Sequence, residues 1–126
     1  MKKQGLSGVE WSILNSLWEN NEMTVKEVQG SIQDLQDKAY TTIQTYLERM
    51  VKYKYLKKRK RGSINFYYPV IDRESILKQE TTSFLSKIFN GSVSNLAAFL
   101  LSTDNISKED LKKLKSILAE EEKKHE

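Results

Sequence analysis

Residues 52–61 read KYKYLKKRKR, and seven of these ten are lysine or arginine. The stretch follows a helical pattern with one polar face, and Gly62-Ser63 and an aromatic run come after it. In that run Ile64, Phe66 and Tyr68 alternate with Asn65 and Tyr67 before Pro69, which is the period of a strand. A two-residue glycine-containing turn between such segments predicts an antiparallel hairpin with a basic first arm and tip. A cationic hairpin beside a polar-faced helix suits double-stranded DNA: phosphates supply affinity and the major groove supplies sequence information.

Three helices are expected upstream. Ser7 and Glu10 have capping-box spacing, and Trp11, Ile13, Leu14, Leu17 and Trp18 then recur at helical period until Asn20-Asn21. Thr24 and Glu27 repeat the capping spacing, and Val25, Val28, Ile32 and Leu35 predict a second helix of about three turns, stopping near Gln36-Asp37. A third helix begins around Tyr40-Thr41. It places Ile43, Tyr46, Leu47 and Met50 on one side and Thr41, Gln44, Thr45, Glu48 and Lys52 on the other. Three short helices and a hairpin make a winged helix-turn-helix, with the second helix across the DNA backbone, the third in the major groove and the hairpin, or wing, on neighbouring phosphates.

The pattern changes after the hairpin. From Asp72, a plausible N-cap, a longer helix carries Ile76, Leu77, Phe84, Leu85, Ile88 and Phe89 to an Asn90-Gly91 stop. Leu96, Ala97, Phe99, Leu100 and Leu101 form a short apolar helix. Ser107-Lys108-Glu109-Asp110 caps a last one with Leu111, Leu114, Ile117 and Leu118, and the closing EEEKKHE reads as a frayed, solvated end. Three helices in so short a segment cannot bury those faces alone. The expected architecture is mainly α with a small β hairpin: a winged-helix DNA-binding domain over residues 1–71 and a three-helix dimerisation domain over 72–126. The dimerisation residues would be Phe84, Leu85, Ile88, Phe89, Leu96, Phe99, Leu100, Leu111, Leu114 and Leu118.

Composition agrees with this division. Net charge is only +4, yet residues 1–75 carry 13 Lys/Arg against 9 Asp/Glu while 76–126 carry 8 against 8. The absence of cysteine excludes disulfides and thiolate metal sites, and the single His125 lies in the charged tail. No cofactor is expected. No apolar run approaches the roughly 20 residues that span a bilayer, and Met1–Gly5 leads into an amphipathic pattern, so a cytoplasmic protein without membrane contact is expected. Without a P-loop, a dinucleotide turn or paired carboxylates in a catalytic setting, the chain does not read as an enzyme.

The candidate DNA-binding residues each have a plainer reading. Gln44 and Thr45 suit base edges, and Thr41 and Thr42 suit the backbone, although any polar helix face is also simply solvated. Arg49 either clamps a phosphate or pairs with Glu48 or another acid. Lys57, Lys58, Arg59, Lys60 and Arg61 would repel one another without an anionic partner, but strand alternation lets only some of them touch one duplex. Tyr53, Tyr55, Phe66, Tyr67 and Tyr68 are better suited to packing the wing on the helices than to stacking on bases.

With Trp11 and Trp18 in the first helix, Thr41–Met50 reading TTIQTYLERM in the third, Phe66-Tyr67-Tyr68 in the wing, and Phe84-Leu85 with Phe89-Asn90-Gly91 beyond it, the chain resembles the BlaI/MecI/CopY family of bacterial repressors. The resemblance spans essentially the whole chain. It implies a homodimeric repressor that binds a palindromic operator through N-terminal winged helices and dimerises through C-terminal helices. The family's third helix typically begins Pro-Lys-Thr-Ile-Arg/Gln-Thr. Here Tyr40-Thr41-Thr42-Ile43-Gln44-Thr45 lacks the lysine, and its phosphate contact is missing at Thr41. The copper-sensing branch ends in a Cys-x-Cys motif that this chain does not have. The β-lactam branch is released by a sensor protease at an Asn-Phe bond. The matching pair here is Phe99-Leu100, with Ala98-Phe99 a neighbouring apolar site.

The reading is a dimeric, sequence-specific transcriptional repressor with a double-stranded DNA operator as partner. The alternative is a winged-helix module that binds another protein through its basic wing, because fold alone does not settle function. Control of antibiotic resistance is among the roles that the resemblance implies for such a repressor.

Overall fold

The spacing of Ser7 and Glu10 produces a reciprocal cap. Glu10 N–H donates to Ser7 Oγ at 3.2 Å and Ser7 N–H donates to Glu10 Oε1 at 2.9 Å, starting α1 (Gly8–Asn20) in a computed structural model that describes residues 5–104 and 106–125. Met1–Gln4, Asn105 and Glu126, which include the chain start and the last residue of the charged tail, lie outside the described residues. Asn21 ends α1 in a positive-φ conformation (70°), its N–H bonded to Leu17 O at 2.8 Å.

Thr24 and Glu27 form a second reciprocal cap for α2 (Val25–Ser31). This helix is shorter than its apolar period suggests. Gly30-Ser31, both poor interior helix residues, precede an extended Ile32, and a single 3-10 turn over Gln33–Leu35 follows. The break still buries Ile32 and Leu35. Two glutamine side chains satisfy carbonyls of the connection: Gln36 Nε2 donates to Gly30 O at 3.3 Å and Gln29 Nε2 to Lys38 O at 2.8 Å.

Helix α3 (Tyr40–Lys52) sets Ile43, Leu47 and Met50 fully into the core, with Tyr46 half-buried on the same side. A positive-φ Lys54 (68°) turns the chain into β1 (Leu56–Arg61), which pairs antiparallel with β2 (Ile64–Pro69) around Gly62, itself at φ 63°. Tyr67 also exchanges two backbone bonds with Met23, at 2.8 and 2.9 Å, so β2 is held on both edges. The core gathers Ile13, Leu14 and Leu17 from α1, Val25 and Val28 from α2, the α3 face, Tyr55, Leu56, Tyr67 and Ile76. Each fully buried aliphatic side chain contributes about 1.5–3 kcal/mol to folding.

Asp72 caps α4 (Arg73–Phe89) by accepting from the Ser75 N–H and hydroxyl at 3.1 and 2.7 Å. By its internal contacts the chain divides into two compact units between Thr81 and Thr82, inside α4. The reason is Ile76, which is buried in the first unit's core and carries the first turns of α4 with it.

In the second unit, Asn90 (φ 51°) and Gly91 (φ 80°) end α4 as expected, and Gly91 N–H bonds Leu85 O at 2.9 Å. Ser92 caps α5 (Val93–Ser102) and Ser107 caps α6 (Lys108–Lys124). The charged tail is exposed but stays helical through Lys124, with a Lys124–Glu121 pair at 3.3 Å supporting its last turn. No single described helix is long and apolar enough to cross a membrane.

Candidate nucleic-acid interface

The polar side of α3 is open. Gln44, Thr45, Glu48, Arg49, Lys52 and Tyr53 line a shallow depression of about 430 Å³, and Thr42, Thr45, Tyr46 and Arg49 line a smaller one of about 240 Å³. Thr41 and Thr42 lie exposed at the helix start, where Ala39 offers no side-chain cap. The Ala39 carbonyl accepts from the Thr42 and Ile43 N–H groups at 3.0 and 3.2 Å, but no side chain of that residue caps the start of α3. Thr45 is more constrained than its exposure suggests. Its hydroxyl donates to Thr41 O at 2.8 Å, so toward a base it can only accept.

The wing meets α3 at Glu48. Lys58 Nζ donates to Glu48 Oε1 at 2.7 Å and Tyr67 Oη to Glu48 Oε2 at 2.5 Å, so both carboxylate oxygens are engaged. Partial burial by itself would raise the Glu48 carboxyl, but these hydrogen bonds and the Lys58 charge outweigh it and hold the group below its ordinary range. Burial first, and then the bond to Glu48, raise the Tyr67 phenol far above the tyrosine range. At neutral pH the carboxylate is ionised and the phenol is its donor. Arg49, one residue away, is consequently left without an acidic partner among the described residues, which removes its pairing with Glu48 as an alternative.

Strand alternation divides the basic run. Lys58 stands opposite Tyr67 on the α3 side, whereas Arg59 stands opposite Phe66 and Arg61 opposite Ile64 on the other face. There Arg61 Nη2 lies 2.6 Å and Arg59 Nη2 3.8 Å from the Glu22 carboxylate. Their guanidinium carbons sit 4.8 Å from the Phe66 ring centroid and 4.9 Å from that of Tyr68. Among the described residues, Lys57 and Lys60 have no ion-pair partner.

The aromatic expectation needs correction in part. Tyr55 and Tyr67 enter the core and Tyr53 packs against it, but Phe66 and Tyr68 point to the opposite face and carry the arginines. Sequence reasoning missed Glu22 altogether. Its only signal is that it precedes Met23, whose pairing with Tyr67 cannot be read from a single residue.

The residues expected to dimerise occupy the second unit and the end of α4. Phe84, Ile88, Phe99, Leu100, Leu111, Leu114 and Leu118 are exposed and Leu85, Phe89 and Leu96 half-buried, with no buried residue described beyond Thr82. Phe89 stacks at 6.0 Å on both Phe84 and Phe99. The Phe99-Leu100 bond lies inside α5.

Residues 6–120 match the family model described as penicillinase repressor. The chain belongs to that family. Among its relatives, the penicillinase repressor of Staphylococcus aureus is 25% identical over 123 residues, covering 98% of each chain. That of Bacillus licheniformis is 28% identical over 115 residues, covering 91% of this chain and 90% of the relative. A solution structure of the DNA-binding domain of the repressor BlaI is 30% identical, covering 58% of this chain and 90% of that one, with a TM-score of 0.49. The family relatives are repressors rather than enzymes by name.

Proposed function

We propose that the chain represses transcription as a homodimer that binds a palindromic double-stranded DNA operator. The carrying observation is the open polar face of α3, with Thr41, Thr42, Gln44, Thr45 and Arg49 presented beside a wing bearing unpaired Lys57 and Lys60. Gln44, with both an amide donor and an acceptor, is suited to a bidentate contact to adenine, and Thr45 to accepting from an exocyclic amine. Thr41, Thr42, Arg49 and Lys60, which shares the Lys58 face, would hold phosphates beside α3; Lys57, opposite Tyr68, shares the other face with Arg59 and Arg61 and would meet phosphates only on that side, the two arginines only by leaving Glu22.

The second unit gives the reason for two copies. With Phe84, Ile88, Phe99, Leu111, Leu114 and Leu118 exposed, α4 to α6 lack the covered face that helices of this apolarity require. A second copy of the same helices would supply it and fix the half-site spacing. Cleavage by a sensor protease at Phe99-Leu100 would first require that turn of α5 to open, and cutting there would separate the half-sites.

The test is a duplex-binding titration across salt concentration with genomic fragments recovered on the protein and with random DNA. Binding that is tighter to recovered fragments and falls steeply with salt supports the proposal. Undetectable duplex binding at low salt would favour a protein-binding module instead.

A further inference from the structure

Glu48 is the one acid on the exposed side of α3, and its surroundings are unlike those of a solvated glutamate. Its neighbours on the helix are Gln44, Thr45, Arg49 and Lys52, all lining the same depression. A loose carboxylate there would oppose the approach of phosphates. Instead, Oε2 is fixed by the hydroxyl of Tyr67, a fully buried residue held on both strand edges, and Oε1 takes Lys58 at 2.7 Å. Exposed ion pairs are ordinarily exchanged with little loss. This one is different because the anionic half cannot follow the lysine outward: the phenol anchors it to the core.

From this geometry, and resting on the DNA-binding reading above, we infer that Glu48 is a positioning residue that fixes the wing on α3 and keeps Lys58 off the DNA backbone. Lys58 then neutralises the carboxylate within the reading surface rather than adding a phosphate contact. The basic run binds DNA less tightly than its charge would allow, and the wing's attitude to the reading helix is set by a side chain of that helix. Removing the carboxylate frees one cation for any duplex, whatever its sequence, and also releases the wing from α3; random DNA gains only the new contact, whereas the operator gains it but loses the wing's fixed placement, so the operator-to-random ratio falls.

The experiment compares full-length wild type, Glu48→Gln and Lys58→Met in salt titrations on operator and random duplexes, with tryptophan fluorescence confirming that each variant is folded. Each phosphate contact contributes a slope of about 0.9 in log K against log salt. Glu48→Gln is expected to steepen the slope by about that amount, tighten random-duplex binding several-fold and reduce the operator-to-random ratio. Lys58→Met is expected to keep the wild-type slope while weakening binding, because it uncovers the carboxylate. A slope flattened by about 0.9 in Lys58→Met would place Lys58 on a phosphate already and overturn the inference. So would a Glu48→Gln protein that binds more weakly at unchanged slope, the behaviour of a plain brace. Those two failures leave DNA binding intact, whereas a wild type that binds no duplex at low salt overturns both the inference and the function beneath it.

Discussion

Arg61 reaches Glu22 at 2.6 Å, joining the last residue of β1 to the turn that follows α1. The arginine side chain is 54% exposed and the glutamate 23%, so water screens much of the attraction. Exposed pairs of this kind are worth about 0.2–1 kcal/mol, and Arg59 at 3.8 Å from the same carboxylate adds little. Glu22→Gln should therefore lower unfolding stability by no more than about 1 kcal/mol in denaturant melts. The deficit should shrink in high salt. A loss of several kcal/mol that salt does not reduce would show that the aromatic-flanked arginines depend on Glu22 far more than their exposure implies.

Gln44 is half-buried on the open side of α3, one turn after Thr41 and one before Glu48. A bidentate amide contact to adenine is worth about 1–3 kcal/mol of discrimination, equivalent to about 5- to 150-fold in the operator-to-random ratio. Gln44→Ala should remove most of that ratio while leaving the salt slope as it was, since no phosphate contact is lost. Competition binding between operator and random duplex measures it, and an unchanged ratio would take Gln44 out of base reading.

The elements were legible where a local rule governs them. Ser7/Glu10, Thr24/Glu27, Asp72 and Asn90-Gly91 mark helix ends through side chains only a few residues away, and every one of them caps or stops a helix in the structure. The end of α2 was not legible, because its apolar period continues through Ile32 and Leu35 while the backbone turns at Gly30-Ser31. The polar face of α3 followed from periodicity alone. The wing did not: the strand period permits either Tyr67 or Phe66 and Tyr68 to face the core. Pairing with Met23, 44 positions earlier, decides for Tyr67. The same long-range choice sends Arg59 and Arg61 to Glu22 and Lys58 to Glu48, so the division of the basic run depended on tertiary contacts that no local pattern records.

The Glu48 clamp also predicts an acid-range signature. Lys58 from β1 and Tyr67 from β2 stabilise the charged carboxylate, with Arg49 and Lys52 nearby on α3, and its folded-state pKa lies below the ordinary value. A depressed carboxyl contributes stability that is present above its unfolded pKa and lost as pH falls through the folded one. Wild type should therefore exceed Glu48→Gln in stability most clearly near neutrality, and the two should converge as pH drops below the carboxylate range. Asp72, lowered by its bonds to Ser75, has the same sign but is common to both proteins and cancels in the difference. Unfolding curves of the pair across pH measure it, and a stability difference constant from neutral to acid pH would contradict the clamp.

Dimerisation is tested most directly on the aromatic and leucine face of the second unit. Phe99 is 56% exposed and Leu114 41%, so a charge at either costs the folded single chain little but would be buried unpaired if a second copy covered it. Phe99→Asp with Leu114→Asp should shift sedimentation from dimer to monomer. Operator affinity should then fall by about 10²–10⁴, because the second half-site loses the high effective concentration that linkage provides. Binding to a single isolated half-site should be unchanged, since α3 and the wing are untouched. If the double variant stays dimeric, the copies associate elsewhere. If the half-site affinity falls in parallel with the full operator, the second unit supports the reading domain itself rather than joining two of them.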